Sequence, residues 1–168
     1  MKPAMLVVAA MLMAVPGFAQ TAPAGRGAAA AQEAAPPAPA PGSAAIFKAN
    51  GDLQSVLKAN IAKTDDMASS AVANTDQYRV NIVHRPKANG AIAHPGNTEL
   101  HYIIEGSGTV VTGGKIVRKQ CALASIEGGE THKVTKGDII IVPAGSAHMY
   151  SEVVGEITYL EVRFVAPK

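Results

Sequence analysis

Cysteine is nearly absent from this 168-residue sequence, which contains only Cys121. A single thiol cannot form an internal disulfide, so packing of the secondary structure must hold the folded part together, with or without a metal ion. Any metal site would then use nitrogen and oxygen ligands rather than a set of thiolates. We interpret Cys121 as a small buried hydrophobic residue, with a reactive thiol as the alternative.

An excess of charge of one sign is also missing. The sequence has 15 basic and 13 acidic residues, and removal of residues 1–19 would take away Lys2 and no acid, which leaves 14 against 13. A net charge this close to zero gives no electrostatic case for binding nucleic acid. Beyond the N-terminus no apolar run approaches the roughly 18 residues that a membrane span needs, so we expect none in the mature protein.

The first 19 residues have the pattern of an export signal. Lys2 supplies a short positive region, residues 4–15 are apolar, and Gly17 and Ala19 offer small residues for cleavage after Ala19. There is no twin-arginine pair, so we expect export as an unfolded chain. The prediction is a periplasmic or secreted protein with a cleavable signal peptide.

Alanine, proline and glycine dominate residues 20–43, which carry almost no charge. Such a composition cannot bury a core, and it predicts a disordered linker. The remaining residues, 44–168, are enough for one domain around a single core. No internal repeat divides this domain.

A short amphipathic helix is predicted over residues 52–61, with Asp52 as its N-cap. Its apolar side chains share one face, which we expect to pack on the outside of a sheet. These residues are Leu53, Val56, Leu57 and Ile61. Residues 64–76 are small and polar and are interpreted as a loop.

Short strands separated by glycine-rich turns fill the rest of the domain. We predict strands at residues 78–84, 91–94, 99–105, 108–112, 122–126, 131–135, 138–142, 147–153 and 156–164, with turns at 106–108, 113–114 and 128–129. Many short antiparallel strands after one early helix are typical of an all-β, double-sheet jelly roll.

Residues 137–148, GDIIIVPAGSAH, combine a turn, an apolar strand and a rigid corner before a histidine. Gly137 marks the turn, and the β-branched run at 139–142 predicts a strand that is buried on both faces. Pro143 and Gly145 end this strand and reverse the chain. His148 begins the returning strand, where its imidazole can point into the space that the sheet encloses.

This segment resembles the second motif of the cupins, G-x5-P-x-G-x2-H-x3-N, at Gly137, Pro143, Gly145 and His148. Residues 94–106, HPGNTELHYIIEG, are similar to the first cupin motif, G-x5-H-x-H-x3-4-E-x6-G, with germin-like spacing. The positions that match this first motif are His94, Glu99 and Gly106. The resemblance covers roughly residues 78–165 and implies one jelly-roll cupin barrel, the double-stranded β-helix, of the small secreted single-domain type.

The sequence departs from both motifs. Ile92 stands where the first histidine of the H-x-H pair is expected, and Pro86 stands at the leading glycine, with Gly90 four residues late. Glu152 replaces the final asparagine of the second motif. These departures leave two histidines and one glutamate in place of the family's full ligand set.

The resemblance implies that Glu99 points into the barrel. Because side chains two apart on a strand share a face, His101 then points inward as well. His94, Glu99 and His148 would form a two-histidine, one-carboxylate set for a divalent transition metal, while Ile92 fills the space of the missing histidine. His101 either adds a third nitrogen as a ligand or faces the substrate beside the metal. Fe, Mn, Ni, Zn and Cu all suit such a set, and the sequence does not choose among them.

The leading functional hypothesis is a metal-dependent cupin enzyme, an oxygenase, isomerase or lyase that acts on a small oxygenated organic molecule. His101 and Glu105 are the candidate groups for moving a proton. The alternative is a degenerate cupin in which the polar side chains lie at a wet barrel mouth, and the protein binds a small ligand without catalysis or has a structural role. The resemblance is also compatible with a homodimer. We interpret His84 and His132 as packed or surface residues.

Overall fold

The protein is described here by a computed structural model, which covers residues 34–165. The elements are α1 (Asn50–Ile61), β1 (Ala68–Asn74), β2 (Tyr78–Arg85), β3 (Asn97–Thr112), β4 (Lys115–Val117), β5 (Ser125–Glu127), β6 (Glu130–Thr135), β7 (Ile139–Val142) and β8 (His148–Val165). The predicted signal peptide, residues 1–19, lies outside the described residues. Within residues 34–165 no helix is long and apolar enough to cross a membrane.

All strand pairs are antiparallel, and the main sheet runs in the order β1-β2-β8-β3-β6, with β7 also paired to β3. The two long strands β3 and β8 pair along almost their whole length, and each contributes to both layers of the fold. The start of each strand pairs with the end of the other, so that Asn97 lies across from Val165 and Thr112 across from His148. Strands β4 and β5 form a separate hairpin. The expectation of an all-β jelly roll with one short helix is confirmed.

The predicted turn at residues 106–108 is wrong. The chain continues as one strand through this region, and the register between β3 and β8 shifts at Gly106/Ser107. Gly106 has a φ of +83°, and Gly155 on the facing strand has a φ of +70°. The two glycines therefore bend a continuous pair of strands between the layers, where the sequence pattern had suggested a chain reversal.

Two other local predictions need correction. Residues 64–76 are not a loop throughout, because β1 occupies Ala68–Asn74 and pairs with β2. The predicted strand at 91–94 is reduced to a single bridge between Ile92 and His148. Strand β1 was missed because its alanines and serines lack the bulky alternation that marks a strand, although they fit the narrow space against α1.

Helix α1 begins at Asn50, two residues earlier than predicted. Its N-cap is Ala49, which makes no side-chain capping hydrogen bond, so the prediction of Asp52 as N-cap is wrong. Leu57 is buried, whereas Val56 and Ile61 remain exposed. Asn60 Nδ2 donates a hydrogen bond of 2.9 Å to Ser69 O, which fastens the end of the helix to β1.

Strand β7 is not buried on both faces as predicted. Ile139 and Ile141 are 61% and 62% exposed, while Val142 is buried. In the register with β3, Ile141 lies opposite Leu100 and Ile139 opposite Tyr102, so these residues share the outer face of the layer. The other layer covers only the inner face, and an unbroken apolar run cannot reveal this difference.

Cys121 is exposed, which contradicts its interpretation as a buried hydrophobic residue. It has a φ of +60° in the connection between β4 and β5. Part of the segment that we predict as linker contacts the domain. Asp76 N donates a hydrogen bond of 2.8 Å to Pro36 O, and Ala38 N donates one of 2.9 Å to Asp76 Oδ1. The predicted domain boundary at residue 43 stays a prediction.

The hydrophobic core lies between the two layers. It consists of Val83, Ile103, Val110, Val134, Tyr150, Ile157 and Tyr159. The polar residues described below are next to this core on the same strands, so the core fixes their positions along β3 and β8.

Substitution of Gly106 tests the bend. An added Cβ would collide with the carbonyl oxygen of Glu156 and lie 2.9 Å from Ile157 Cα, whereas Gly96 has the same φ of +83° with nothing within 4 Å. Gly96→Ala should cost about 1 kcal/mol of unfolding free energy from backbone strain alone, and Gly106→Ala at least about 3 kcal/mol. Urea unfolding at neutral pH measures both. Equal losses would show that the strands do not approach so closely at residue 106.

Candidate metal centre

The centre of the candidate site is Glu99, which is 1% exposed. Alternation along β3 places Glu99, His101 and Ile103 on the inner face, as predicted. Ile103 is fully buried in the core two residues further on, which fixes this orientation. The register with β8 places Arg163 opposite Glu99 and Glu161 opposite His101.

His94 and His148 reach the site from two neighbouring segments. Gly145 N donates to His94 O at 3.1 Å, which ties the corner before β8 to the segment before β3. His148 is buried at the first position of β8, and its backbone exchanges two hydrogen bonds with Ile92 at 2.9 and 3.0 Å. The two motif segments are therefore adjacent in space, as the sequence predicted.

The three side chains converge on one point. His94 Nε2 lies 3.4 Å from Glu99 Oε1, and His148 Nε2 lies 3.6 Å from Glu99 Oε2. Each of the three offers a ligand atom within 4.8 Å of the others. Ligands about 2.1 Å from a common divalent ion are separated by about 3 to 3.5 Å, so the observed spacings are close to those of a metal site.

Hydrogen bonding also fits a cation at this point. His148 Nδ1 lies 3.2 Å from the carbonyl oxygen of Ser146, an acceptor only, so the proton belongs on Nδ1 and the Nε2 lone pair faces Glu99. His94 Nε2 and Glu99 Oε1 are buried and have no hydrogen-bond partner among the described residues. Lone pairs that face a carboxylate repel it, and a bound cation would remove this repulsion.

His101 is placed differently from the other two rings. Its Nε2 lies 3.3 Å from Glu99 Oε2 and its Nδ1 lies 3.2 Å from Tyr150 Oη, so both nitrogens have partners. It forms a second possible ligand group with Glu99 and Glu161, and this group shares only Glu99 with the first. The sequence correctly predicted that His101 points inward; its role as a metal ligand stays a prediction.

Two charged residues of the site were missed by the sequence reasoning. Arg163 Nη2 donates to Glu161 Oε2 at 2.9 Å, and Arg163 Nε lies 3.5 Å from Glu99 Oε2. Asn81 Nδ2 donates to the other carboxylate oxygen of Glu161 at 3.1 Å. Residues 159, 161 and 163 alternate with apolar neighbours, so the period-2 pattern of this strand was the signal that could have found them.

Aromatic residues close the inner side of the site. Tyr150 and Tyr159 stack with ring centroids 5.2 Å apart, and His101 lies 4.6 Å from the Tyr159 ring. Arg85 Nε donates to Tyr159 Oη at 2.9 Å. Burial raises the pKa of Tyr159 to about 12 and also raises the pKa of Tyr150, so both hydroxyls stay protonated and can donate hydrogen bonds.

The charge states at neutral pH suit metal binding. Burial lowers the pKa of both His94 and His148, which outweighs the opposing effect of the Glu99 charge. Burial alone would raise the pKa of Glu99, but the His101 hydrogen bond and the charge of Arg163 hold it below its usual value. The rings are thus neutral and the carboxylate is ionised, the forms that ligate a metal.

The other candidate residues lie elsewhere. Glu105 is exposed on the outer face of β3, where the register shift places it opposite Thr158, so the structure does not bring it to the site. His84 is buried away from the site, 3.4 Å from Thr158 Oγ1, and His132 is exposed on β6. Ile92 is the bridge partner of His148, so its side chain lies beside that ring, where the missing histidine is expected.

The family model described as cupin matches residues 78–151, from the first residue of β2 into β8, and includes both motif segments. The protein is a cupin. The inward-facing residues of the cupin's two motifs are the ones that meet at Glu99. No curated protein matches the sequence.

Solved structures with a similar fold come from several bacteria. A predicted oxalate decarboxylase from Thermotoga maritima is 16% identical with a TM-score of 0.46, covering 60% of this cupin and 81% of that chain. KdgF from Halomonas sp. is 14% identical with a TM-score of 0.46, covering 60% and 82%. TT1209 from Thermus thermophilus is 21% identical with a TM-score of 0.49, covering 73% and 100%. At this identity none of them transfers an activity to this cupin.

Acid should destabilise the metal-free protein. Because the pKa of His148 is lowered from 6.5 in the folded state, the unfolded chain binds more protons below that pH, and stability falls as pH decreases through this range. The His148 ring can contribute a slope of at most about 1.4 kcal/mol per pH unit. Urea unfolding at pH 7.5, 6.5 and 5.5 should give a shallower slope for His148→Gln, while His132→Gln, at an exposed ring, keeps the wild-type slope. An unchanged slope in His148→Gln would contradict the buried neutral imidazole.

Proposed function

We propose that this cupin binds one divalent transition metal through His94, Glu99 and His148 and acts on a small oxygenated organic molecule. The observation that carries the proposal is the 3.2 Å contact of His148 Nδ1 with the carbonyl oxygen of Ser146, from which the tautomer of the ring follows. Its Nδ1 is committed to Ser146 O, so its Nε2 lone pair is directed at the Glu99 carboxylate. Two further buried atoms at this site, His94 Nε2 and Glu99 Oε1, have no hydrogen-bond partner among the described residues.

Burial argues against a degenerate site at a wet barrel mouth. Glu99 is 1% exposed and lies across from buried Val142 in the register with β7. Ile103, on the same face of β3, belongs to the hydrophobic core. A carboxylate in such surroundings needs positive partners. Arg163 lies 3.5 Å from it but is shared with Glu161, and the neutral His148 ring directs a lone pair at it, so a bound cation would stabilise the site.

Three protein ligands leave coordination positions open for substrate. A bound divalent ion would polarise a substrate carbonyl, enol or carboxylate oxygen as a Lewis acid. The protein's own part is to hold the donors in place: His101, fixed by Tyr150, keeps the Glu99 carboxylate oriented toward the histidines. His101 is also the inward-facing group that can hold or transfer a proton next to substrate, with Tyr150 as its hydrogen-bond partner.

A non-catalytic binding role is the second candidate, and Ile92 is the observation that favours it. The side chain beside His148 is apolar, so the fourth protein ligand of the family motif is missing. A cupin of this kind would hold a small ligand in the barrel without converting it.

We also propose that residues 1–19 direct export to the periplasm or beyond. The short basic start, the apolar residues 4–15 and the small residues before position 20 support this proposal. Intact-mass measurement of protein expressed with its own N-terminus should find a mature chain beginning at Gln20. A chain that retains residues 1–19 would contradict it.

Substitutions at the ligands should reduce metal binding. His148→Ala removes one ligand, and Glu99→Gln replaces the anionic carboxylate by a neutral amide that binds a cation less strongly, so we expect metal affinity to fall by about 100-fold in each variant. Titration calorimetry with Zn²⁺ and metal quantitation of the purified protein measure the effect. His132→Ala is the matched control and should bind as wild type. His101→Ala should lower affinity by about tenfold or less if the ring only orients Glu99.

Substitution of Ile92 separates the two candidate functions. Ile92→His places a second imidazole beside His148, so we expect tighter Zn²⁺ binding than in the wild type. Wild-type protein loaded with Fe, Mn, Ni, Zn or Cu is then screened for turnover of small organic acids and enols. Turnover by the wild type supports the enzyme. A lack of turnover in both proteins, with tighter metal binding in Ile92→His, supports the binding role.

A further inference from the structure

Two arginines lie side by side next to the candidate metal centre. Arg79 on β2 and Arg163 on β8 are directly opposite each other in the antiparallel register. Directly opposed residues project from the same face with their Cβ atoms about 5 Å apart, and like charges in this arrangement destabilise a sheet. A pair of this kind needs anions around it.

The protein supplies only part of that compensation. Arg163 is bonded to Glu161 and approaches Glu99, but its Nε is buried without a hydrogen-bond partner among the described residues. Arg79 Nε donates to the neutral amide oxygen of Asn74 at 3.2 Å. An arginine has five N–H donors, so most of the donors of this pair remain available to a ligand.

Both guanidinium-bearing residues line one pocket of about 170 Å³. Asn97 and Gln77 also line it and add neutral polar groups, while Asp76 contributes a carboxylate. Asp76 is exposed and accepts a hydrogen bond from Ala38 N, so water and this bond weaken its effect on a ligand. Arg163 belongs both to this pocket and to the surroundings of Glu99.

The charge balance indicates when an anion would bind. The two negative charges of Glu99 and Glu161 equal the two positive charges of Arg79 and Arg163 in number, although the ion pairs involve Arg163 and Arg79 bonds to a neutral amide. A divalent ion held by Glu99 and the two histidines would leave the region positive. An anionic ligand would then be attracted to a site that is close to neutral without the ion.

We propose that this pocket binds the carboxylate of an organic acid through Arg163 and Arg79, with the rest of the molecule directed toward the metal centre. The inference rests on the proposed function and narrows its substrate class from oxygenated molecules to organic acids. A planar carboxylate matches the fork of donors that a guanidinium presents, and the pocket is small enough to hold one such group.

The test uses the folded protein with and without Zn²⁺. Calorimetry first measures Zn²⁺ binding, and succinate is then titrated into the Zn²⁺-loaded protein, with succinamate, which lacks one carboxylate, and inorganic phosphate as comparison ligands. We expect succinate to bind more tightly than both. Arg163→Gln and Arg79→Gln should each weaken succinate binding by about tenfold or more, the usual effect of losing a charged hydrogen bond.

Controls separate this inference from the metal site. Arg118→Gln, at an exposed arginine outside the pocket, should leave succinate binding unchanged. Arg79→Gln leaves the Arg163–Glu161 pair intact and removes one of two directly opposed like charges, so this variant should fold at least as stably as the wild type. The variant therefore still reports on the pocket if Arg163→Gln does not fold.

Four outcomes decide the inference. Weaker succinate binding in both arginine variants supports it. Normal Zn²⁺ binding with no succinate binding, or with equal succinate affinity in the variants, overturns it and leaves the proposed metal site standing. Tighter binding of phosphate than of succinate overturns the carboxylate class. Absence of Zn²⁺ binding refutes the proposed function, and arginine-dependent succinate binding to the metal-free protein would then still support the pocket.

Discussion

The burial of one carboxylate governs the polar interior of this cupin. Glu99 is almost completely removed from water, yet its pKa is held low, so its negative charge must be balanced by its neighbours. His101, His148, His94 and Arg163 all lie within 3.6 Å of its oxygens. A buried charge that is left unpaired costs several kcal/mol, which explains why the Arg163 guanidinium and the His101 ring lie against this side chain.

The three histidines around Glu99 differ in what their second nitrogen does. Ser146 O fixes the His148 ring from outside the site, and Tyr150 fixes the His101 ring from the core side. Only His148 is thereby left with a lone pair facing the carboxylate, whereas His101 can donate to it. Their hydrogen-bond partners thus decide which imidazole can accept a metal ion and which can donate a proton, and a sequence motif does not contain this information.

Much of the fold and part of the site could be predicted because both depend on local patterns. The motif resemblance placed Glu99 on the inner face, alternation then placed His101 there as well, and the Pro143–Gly145 corner located His148. Other features depend on tertiary contacts. Ile139 and Ile141 are exposed because, within residues 34–165, no layer packs on the outer face of β7. Strand β1 forms from small residues because it pairs with β2 and lies against α1. Arg163 and Glu161 carried a periodic signal, but their partners come from β2 and β3, far away in the sequence.

The sharing of β3 and β8 between both layers has a consequence for how the protein folds. Glu99 is near one end of β3 and His148 begins β8, so their side chains meet only after segments that are far apart in the sequence have come together. Pairing of this kind is slow, because a long loop must close before any contact forms. A partly folded chain therefore has no assembled set of ligands for an ion. An ion that bound these residues would stabilise the folded state by mass action and would not accelerate its formation.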